Sequence, residues 1–420
     1  MSLIHPLTEP EIQFIESYFA KFYNTKFSEV MPPKNMEERE FGFTLFREGI
    51  MIRHLSFQDV EELRRFLKDK TPKDFYYSCA YYERPKEEMD NKGWLGADLI
   101  FDIDADHILT PCKKSHDYWL CRDCGYDGRG GEPSACPRCG RTKISVFSWP
   151  CEVCLESAKR EMIKLVEFMM DDFGFSSNEL AIYFSGHRGY HLHVESEVIK
   201  EVGQNERKEV VDYLQAIGID LKFHWLLENG TVERGTEPML DEGGWRGRIA
   251  RGTYEFLLRP TLLQDLSRLG LSRQAISQIS KNKNLIIESW KSSGPWKMFK
   301  GLGLNTWRKV AYEALKNQAV SVDSVVTTDI HRLIRMGGTL HGKTGFKKAK
   351  ISLIDLERFD PLNDAVAFEK GYVKIHILQA PKFVLMNETY GPYENCKAEV
   401  PIALAILLLC KGFARLENGV

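Results

Sequence analysis

The chain has no surplus of either charge: 57 Lys and Arg against 59 Asp and Glu leave a formal net charge of −2 over 420 residues. That excludes a protein that gathers nucleic acid or an anionic membrane by an overall basic field, so any such binding must rest on local patches. Long apolar runs are missing too. The longest, Ile402 to Cys410, is about half of the roughly 20 residues that a membrane span requires. No membrane association is expected, and the run reads as a buried C-terminal helix. The opening MSLIHPLTEPEI lacks the basic start and apolar stretch of a secretory signal. Internal repeats and low-complexity tracts are absent as well. Cysteine is not scarce. There are ten, most of them in CxxC pairs of a long chain without a signal, which argues for metal binding in a reducing compartment and against disulfides. With 43% hydrophobic and 28% charged residues, the composition suits two or three packed units and excludes a disordered chain.

Periodicity orders the rest. Thr8 with Glu11 three residues later is a capping box, opening a helix with Ile12, Ile15 and Phe19 on one face. After Pro32–Pro33, REFGFTLF and GIMIRHLSF read as two paired strands, and Ser56 is expected to cap a helix bearing Val60, Leu63 and Leu67. DFYYSCAYYERP (Asp74 to Pro85) is strand-like. Leu155, Ala158, Met162, Leu165 and Met169 mark an amphipathic helix ended by Gly174, and LAIYFSGHRGYHLHVES reads strand, turn, strand. Residues 203 to 320 are mostly helical, with breaks near Asn229–Gly230, at Gly243–Gly244 and at Gly301; Ser321 to Gly345 mixes strand and helix.

Between Cys112 and Cys154 hydrophobic periodicity disappears and Gly, Pro, Cys and charge dominate, so this insertion needs a metal to order it. Cys121, Cys124, Cys136 and Cys139 form two CxxC knuckles separated by eleven residues, each followed by glycine, the pattern of a zinc ribbon. Cys112, His116, Cys151 and Cys154 flank it as a second complete set. The two sites would be nested, with an exchange of thiols between them as the rival pairing. Neither leaves an open position, so both Zn²⁺ sites are structural in kind.

In LIFDIDADH, Leu99, Phe101 and Ile103 alternate with Ile100, Asp102 and Asp104, placing both acids on one face of a strand. An isolated pair of this kind is most often a solvated strand end. Carboxylates inside an apolar strand are costly unless something cationic meets them. In SGHRGYH, glycines bracketing Arg188 let the backbone approach an anion while Arg188 and Ser185 donate to it, and His191 and His193 share a strand face. Alone this is a turn with a surface arginine. A second basic cluster, Arg332, Arg335, His341, Lys343 and Lys347, is interspersed with glycines and by itself is a solvated loop. Together the parts suit phosphoryl transfer with hard metal ions held by oxygen ligands.

DIDAD, CEVCLESAK, SGHRGYH and DIHRLIR…LHGKTG resemble, in order, the small catalytic subunit of archaeal and eukaryotic DNA primases, the archaeal form more closely. The resemblance covers roughly residues 36 to 350 and includes REFGFTL and MIRHLSF ahead of the acidic strand. It implies an α/β (α+β) fold, with a primase-type catalytic core of mixed or antiparallel sheets flanked by helices, an inserted zinc-binding module and a helical subdomain. The expected divisions are a discontinuous core (1–111, 155–202, 321–400), a zinc-binding insertion (112–154), a helical subdomain (203–320) and a C-terminal helix (401–420).

The implied activity is that of a DNA-dependent RNA polymerase making primers de novo on single-stranded DNA. Asp102 and Asp104 would bind two catalytic Mg²⁺ or Mn²⁺ ions. The third ligand, which precedes an HRLIR-like helix, falls on Asp323, with Asp329 as the alternative. Ser185, His187, Arg188 and His191 would contact the nucleotide's phosphates, Arg335 and His341 would do so from the opposite wall, and Arg53 is a further contact of this kind. Cys112, His116, Cys151 and Cys154 would be the family's zinc knuckle, and the ribbon of Cys121, Cys124, Cys136 and Cys139 an extra insertion within it. His187 stands where relatives can carry a second arginine. The implied partners are a large primase subunit, template DNA and ribonucleoside triphosphates, with deoxyribonucleotides an open alternative. The implied location is cytoplasmic in an archaeon and nuclear in a eukaryote. The competing readings are a primer-extending repair polymerase of the same superfamily and a non-catalytic zinc-ribbon protein that grips nucleic acid.

Overall fold

Thr8 opens the first helix, Glu9–Thr25, with the expected reciprocal cap: its backbone N–H donates to Glu11 Oε2 at 2.7 Å. Ile15, Phe19, Phe22 and Tyr23 form its buried face. The computed structural model describes residues 5–221, 238–291, 294–296 and 302–417. The next helix, Val60–Lys70, is capped by Asp59 and not by Ser56: Asp59 accepts from the Glu62 amide at 2.8 Å. Ser56 is drawn away because its hydroxyl donates to the Glu37 carbonyl at 3.2 Å. Val60 remains exposed, while Leu63 and Leu67 are buried.

Two compact units divide the chain: Met1–Ile163 with Ser177–Lys208 and Val322–Val420, and Lys164–Ser176 with Glu209–Ser321. The first is built on antiparallel sheets. One runs Leu333–Arg335, Asp74–Ser78, Phe41–Thr44, Ile52–Leu55 in spatial order. Phe41, Phe57, Phe66 and Phe75 pack on it with ring centroids 5.0 to 6.2 Å apart. The stretch from Asp74 is broken at Cys79 into two strands, the second of which, Ala80–Tyr82, pairs instead with Trp94–Ala97. The HRLIR segment is the short strand Leu333–Arg335 and not a helix. Gly337 and Gly338 cut it short, and the ladder to Asp74–Ser78 satisfies its backbone.

The other four-stranded sheet has the order Lys350–Ile351, Leu180–Phe184, Gly189–Val194, Leu99–Asp104, so the acidic strand lies at its edge. A third sheet joins the long strands Tyr372–Ala380 and Tyr393–Pro401 with Ala414–Leu416. Between the latter two lies Ile402–Cys410, a helix buried along eight consecutive residues, Ile402 to Leu409. Such all-round apolarity is what a fully enclosed helix needs. Among the described residues, no helix is long and apolar enough to cross a membrane.

The second unit, taken by itself, is helical, with Gly244–Leu258, Leu262–Arg268, Arg273–Lys281, Lys283–Ser289 and Leu304–Gln318. Trp290, Trp296 and Trp307 stack edge to face at 5.1 and 5.6 Å, and Arg248 pairs with buried Asp172 at 3.0 Å. Gly243 caps the Gly244–Leu258 helix, as the break there suggested. The breaks expected near Asn229–Gly230 and at Gly301 lie outside the described residues.

In the first unit, a buried ion pair links the segments that lead into the two four-stranded sheets. Arg39 meets Asp98 at 2.6 Å and also donates to the carbonyls of Ser78 and Cys79, while Asp98 accepts from Tyr81 Oη. Removing one member of such a pair leaves the other charged and buried, at a cost of about 3–5 kcal/mol. Asp98→Ala should therefore lower stability by about that amount in chemical denaturation; an unchanged midpoint would show that the pair does not hold these segments.

Candidate active site

The ladder between Leu99–Asp104 and Gly189–Val194 decides which residues meet. Asp104 lies opposite Gly189 and Asp102 opposite His191. Period-2 alternation then places both carboxylates on the face that also carries His191. His191 Nε2 is 3.5 Å from Asp102 Oδ1. Position 189 must be glycine, because a Cβ there would come within 2.4 Å of the Ile103 carbonyl oxygen. Asp323 reaches the same place from another direction. It caps the short helix Ser324–Thr328, and its amide donates to the Asp102 carbonyl at 2.9 Å. Asp329, at the helix's other end, accepts from the His331 amide and turns its carbonyl towards Cys79. Asp323, not Asp329, is thus beside Asp102.

Burial, and then the charges of Asp104 and Asp323, push the Asp102 carboxyl from the ordinary 3.8 up to about 7. Burial raises Asp104 too, against the opposing pull of Arg188 and His107. Three acids gathered with too little cationic charge are a set that hard divalent cations could complete.

Asp102 and Asp104 edge a cavity of about 230 Å³. Asp102, Asp104 and Asp106 line it together with Ser185, His187, His191, Arg332, Arg335, His341 and Lys343. Arg335 is fixed by Asp74 at 2.7 Å, by the Leu340 carbonyl at 3.0 Å and by Tyr76 Oη at 3.2 Å. Ser185 Oγ closes its own turn by accepting from the amides of His187 and Gly189. Gly186 adopts φ +89° and packs against His341, where a Cβ would come within 2.9 Å of the histidine's own. Thr344 Oγ1 donates to the Gly186 carbonyl, joining the turn to the His341 loop. Burial, helped by neighbouring cations, pushes His187, His191 and His341 well below the usual histidine range, so all three are neutral N–H donors or acceptors here. Lys348, fully buried, donates to the Arg335 carbonyl at 2.8 Å and lies 3.2 Å from His193. His193 faces Tyr77 and Lys348, away from the acids.

Three candidates are not on the cavity wall: Asp323, which lies beside Asp102, and two arginines. Arg188 is enclosed, with Nη1 on both oxygens of Asp117 (2.8 and 3.0 Å) and on the Trp149 carbonyl, and Nη2 paired with Asp106. Both terminal nitrogens are thus spent on protein acceptors, while Nε has no hydrogen-bond partner among the described residues. Arg53 pairs with Glu40 at 3.0 Å, because that fully buried carboxylate needs a cation. Lys347, from the second basic cluster, pairs with Glu29.

The two cysteine groups assemble as two separate sets, Cys112, His116, Cys151 and Cys154, and Cys121, Cys124, Cys136 and Cys139. A tetrahedral zinc with bonds near 2.3 Å places its thiolates about 3.8 Å apart. Here Cys112 is 3.5 Å from Cys154 and 3.6 Å from Cys151, Cys121 is 3.6 Å from Cys139, and Cys124 is 3.7 Å from Cys136. Both sets could hold zinc. The second wraps the base of a small sheet, Asp127–Arg129, Tyr118–Cys121, Ile144–Phe147. His116 Nδ1 lies 2.7 Å from Asp117, the carboxylate that also holds Arg188. A metal-bound histidine is commonly oriented by such a group.

A family model described as the DNA primase small subunit matches residues 150–353. A DNA primase small subunit PriS from Nitrosopumilus maritimus is 33% identical over 409 residues, 97% of this chain and 99% of its own length. The chain belongs to the DNA primase small subunit family. The PriS proteins of Cenarchaeum symbiosum and Methanothrix thermoacetophila are each 32% identical, across 97% and 96% of this chain and 99% and 98% of their own lengths. The primase family match at 150–353 takes in the glycine-flanked turn, Asp323, Arg335 and His341. The acidic strand lies before it and is covered by the full-length primase relatives.

Sequence reasoning did not find Asp106, Asp117 or Lys411 in this primase chain. Asp117 had a signal, since a carboxylate beside a ligating histidine is its usual orienting partner. Lys411 had none, lying 224 residues from the histidine it touches.

Two outcomes are expected. The folded state holds a proton on Asp102 that the unfolded state releases between about pH 4 and about pH 7, so stability falls as pH rises through that window. In chelator, Asp102→Asn should flatten that slope, leaving only the part that Asp104 contributes, and be more stable than wild type above about pH 7, as read by urea unfolding; identical pH profiles would overturn the assignment. Metal analysis of protein purified without chelator should give about two zinc ions per chain, falling to about one in Cys124→Ser with Cys139→Ser.

Proposed function

We propose that this chain is the catalytic subunit of a DNA primase, a DNA-dependent RNA polymerase that starts primers de novo on single-stranded DNA. The reading is supported by one cavity that brings Asp102 and Asp104, with Asp323 beside Asp102, together with Arg335, His187 and His341. Asp102, Asp104 and Asp323 would hold two Mg²⁺ or Mn²⁺ ions, and the donor set suits them, because such ions prefer oxygen and lower the carboxylates' raised pKa. When bound, the ions lower the pKa of an attacking 3′-hydroxyl and offset charge on the leaving pyrophosphate.

The side chains do the rest. Arg335, held rigid by Asp74 and Tyr76, presents its remaining donors to the nucleotide's phosphates without reorganising. Ser185, His187, His191 and His341 complete the triphosphate wall. Arg188 acts as a strut, keeping the turn in place through Asp117 and Asp106. Arg53 offsets the charge of Glu40. Two structural Zn²⁺ ions belong to the cysteine sets, in a zinc-binding insertion at 112–154. Catalysis belongs to the discontinuous core (1–111, 155–202, 321–400), and a helical subdomain spans 203–320. The relatives are named small subunits, so a large subunit is the partner proposed here.

The test is synthesis on bare single-stranded DNA with labelled ribonucleotides, Mn²⁺ or Mg²⁺, and no primer. Wild type should make primers, and Asp102→Ala with Asp104→Ala should make none while unfolding no earlier than wild type. Full activity in the double variant would overturn the site. Product formed only from a pre-annealed primer would replace the primase reading with a primer-extending polymerase.

A further inference from the structure

The cavity's triphosphate wall contains fewer charges than its lining suggests, because its histidines are neutral. The residue behind one of them changes this. Lys411 follows the buried helix Ile402–Cys410 and is itself 5% exposed. Its Nζ donates to the Ser148 carbonyl at 2.7 Å and lies 2.6 Å from His187 Nε2. Those are its hydrogen-bond partners, and neither is a carboxylate. A buried lysine held by neutral acceptors alone is costly to keep, and a fold that wanted only packing here would do better with a methionine.

The hydrogen-bond bookkeeping gives the arrangement a direction. When Lys411 is charged its ammonium can only donate, so His187 Nε2 then accepts from it and the ring proton sits on Nδ1. Nδ1 has no protein partner among the described residues, and the ring lines the cavity. His341 is set the same way. Its Nδ1 accepts from the Lys343 amide at 3.1 Å, which leaves Nε2–H, and its ring stacks on His187 with centroids 5.3 Å apart. Two neutral imidazoles thus each offer one N–H to a ligand, and only His187 has a cation directly behind it.

We propose that Lys411 is a positioning residue of the nucleotide site, fixing His187 as the Nδ1–H donor and placing a positive charge one imidazole behind the bound triphosphate. This rests on the reading of the cavity as a nucleotide site. The pair also makes binding proton-linked. His187 is faced by Lys411, His341, Lys343 and Arg335; Lys411 is faced by Lys343, Arg188, Cys410 and Asp117. With so many cations close by, burial holds both groups well below their ordinary values. A polyanion arriving among the same cations raises both, so the complex holds more protons than the free protein, and affinity falls as pH is raised through the free pair's titration.

The experiment is calorimetric titration of the full chain with MgATP in buffers of different ionisation heat. Mg²⁺ displaces protons from Asp102 and Asp104 in every variant, so the uptake by this pair is read as the difference from Lys411→Met: wild type should take up more protons on binding. Lys411→Met should weaken MgATP by about tenfold or more, the loss of one charge-assisted donor, and lose that excess. Lys411→Met combined with His187→Arg should regain affinity without the excess uptake, because the charge then reaches the phosphates directly. Unchanged affinity and uptake in Lys411→Met would overturn the inference. So would a loss that His187→Arg does not rescue, since that marks a merely structural lysine. Wild-type protein that binds no MgATP would instead overturn the nucleotide reading on which the inference rests.

Discussion

Six consecutive cross-strand pairs, from Gly189 opposite Asp104 to Val194 opposite Leu99, hold the acidic strand against its single neighbour in the sheet. A slip of one residue would turn Asp102 and Asp104 to the other face and His191 away from them. Nothing else in the site could compensate. The turn at Ser185–Arg188 starts where this ladder ends, so its position is inherited from the register. The His341 loop is in turn joined to the turn through Gly186 and Thr344. One strand pairing thus sets the position of the acids, the turn and the His341 loop.

Electrostatically the site is unbalanced in two places at once. The carboxylates crowd one another until one of them holds its proton to about pH 7. A few residues away, two buried lysines, Lys348 and Lys411, are bonded to carbonyls and histidines instead of acids. A protein built for stability alone would have paired these opposite excesses. Leaving them unpaired costs folding free energy and leaves a preorganised field around the site.

Much of this was legible before any coordinates. The alternation in LIFDIDADH located both acids, and the CxxC spacing sorted eight ligands into the two sets that the fold assembles. Local signals failed where tertiary contacts outbid them. Ser56 lost its capping role to a carbonyl on another segment, and HRLIR became a strand because a neighbouring strand was there to pair with it. Arg188 shows a deeper limit. Residue type and flanking glycines say that an arginine stands at an anion-binding turn, but not which anion it serves. The answer, Asp117, depends on where an insertion some seventy residues away folds back. Lys411 is harder still, since a lysine at the end of an apolar helix looks like an ordinary solvated cap.

Asp117 gives the cysteine-rich insertion a meaning beyond its metals. This one carboxylate receives His116, both contacts of Arg188 Nη1 and the Trp149 amide, whereas the ribbon set lies farther out, beyond Tyr118–Cys121. The two halves of the insertion are therefore not equally dispensable over evolutionary time. A descendant could shed the ribbon and close the gap with a short loop while the catalytic geometry stayed intact. The knuckle could not be trimmed in the same way, because its histidine and the turn's arginine share one acceptor, and losing it would leave the buried guanidinium with Asp106 as its remaining carboxylate.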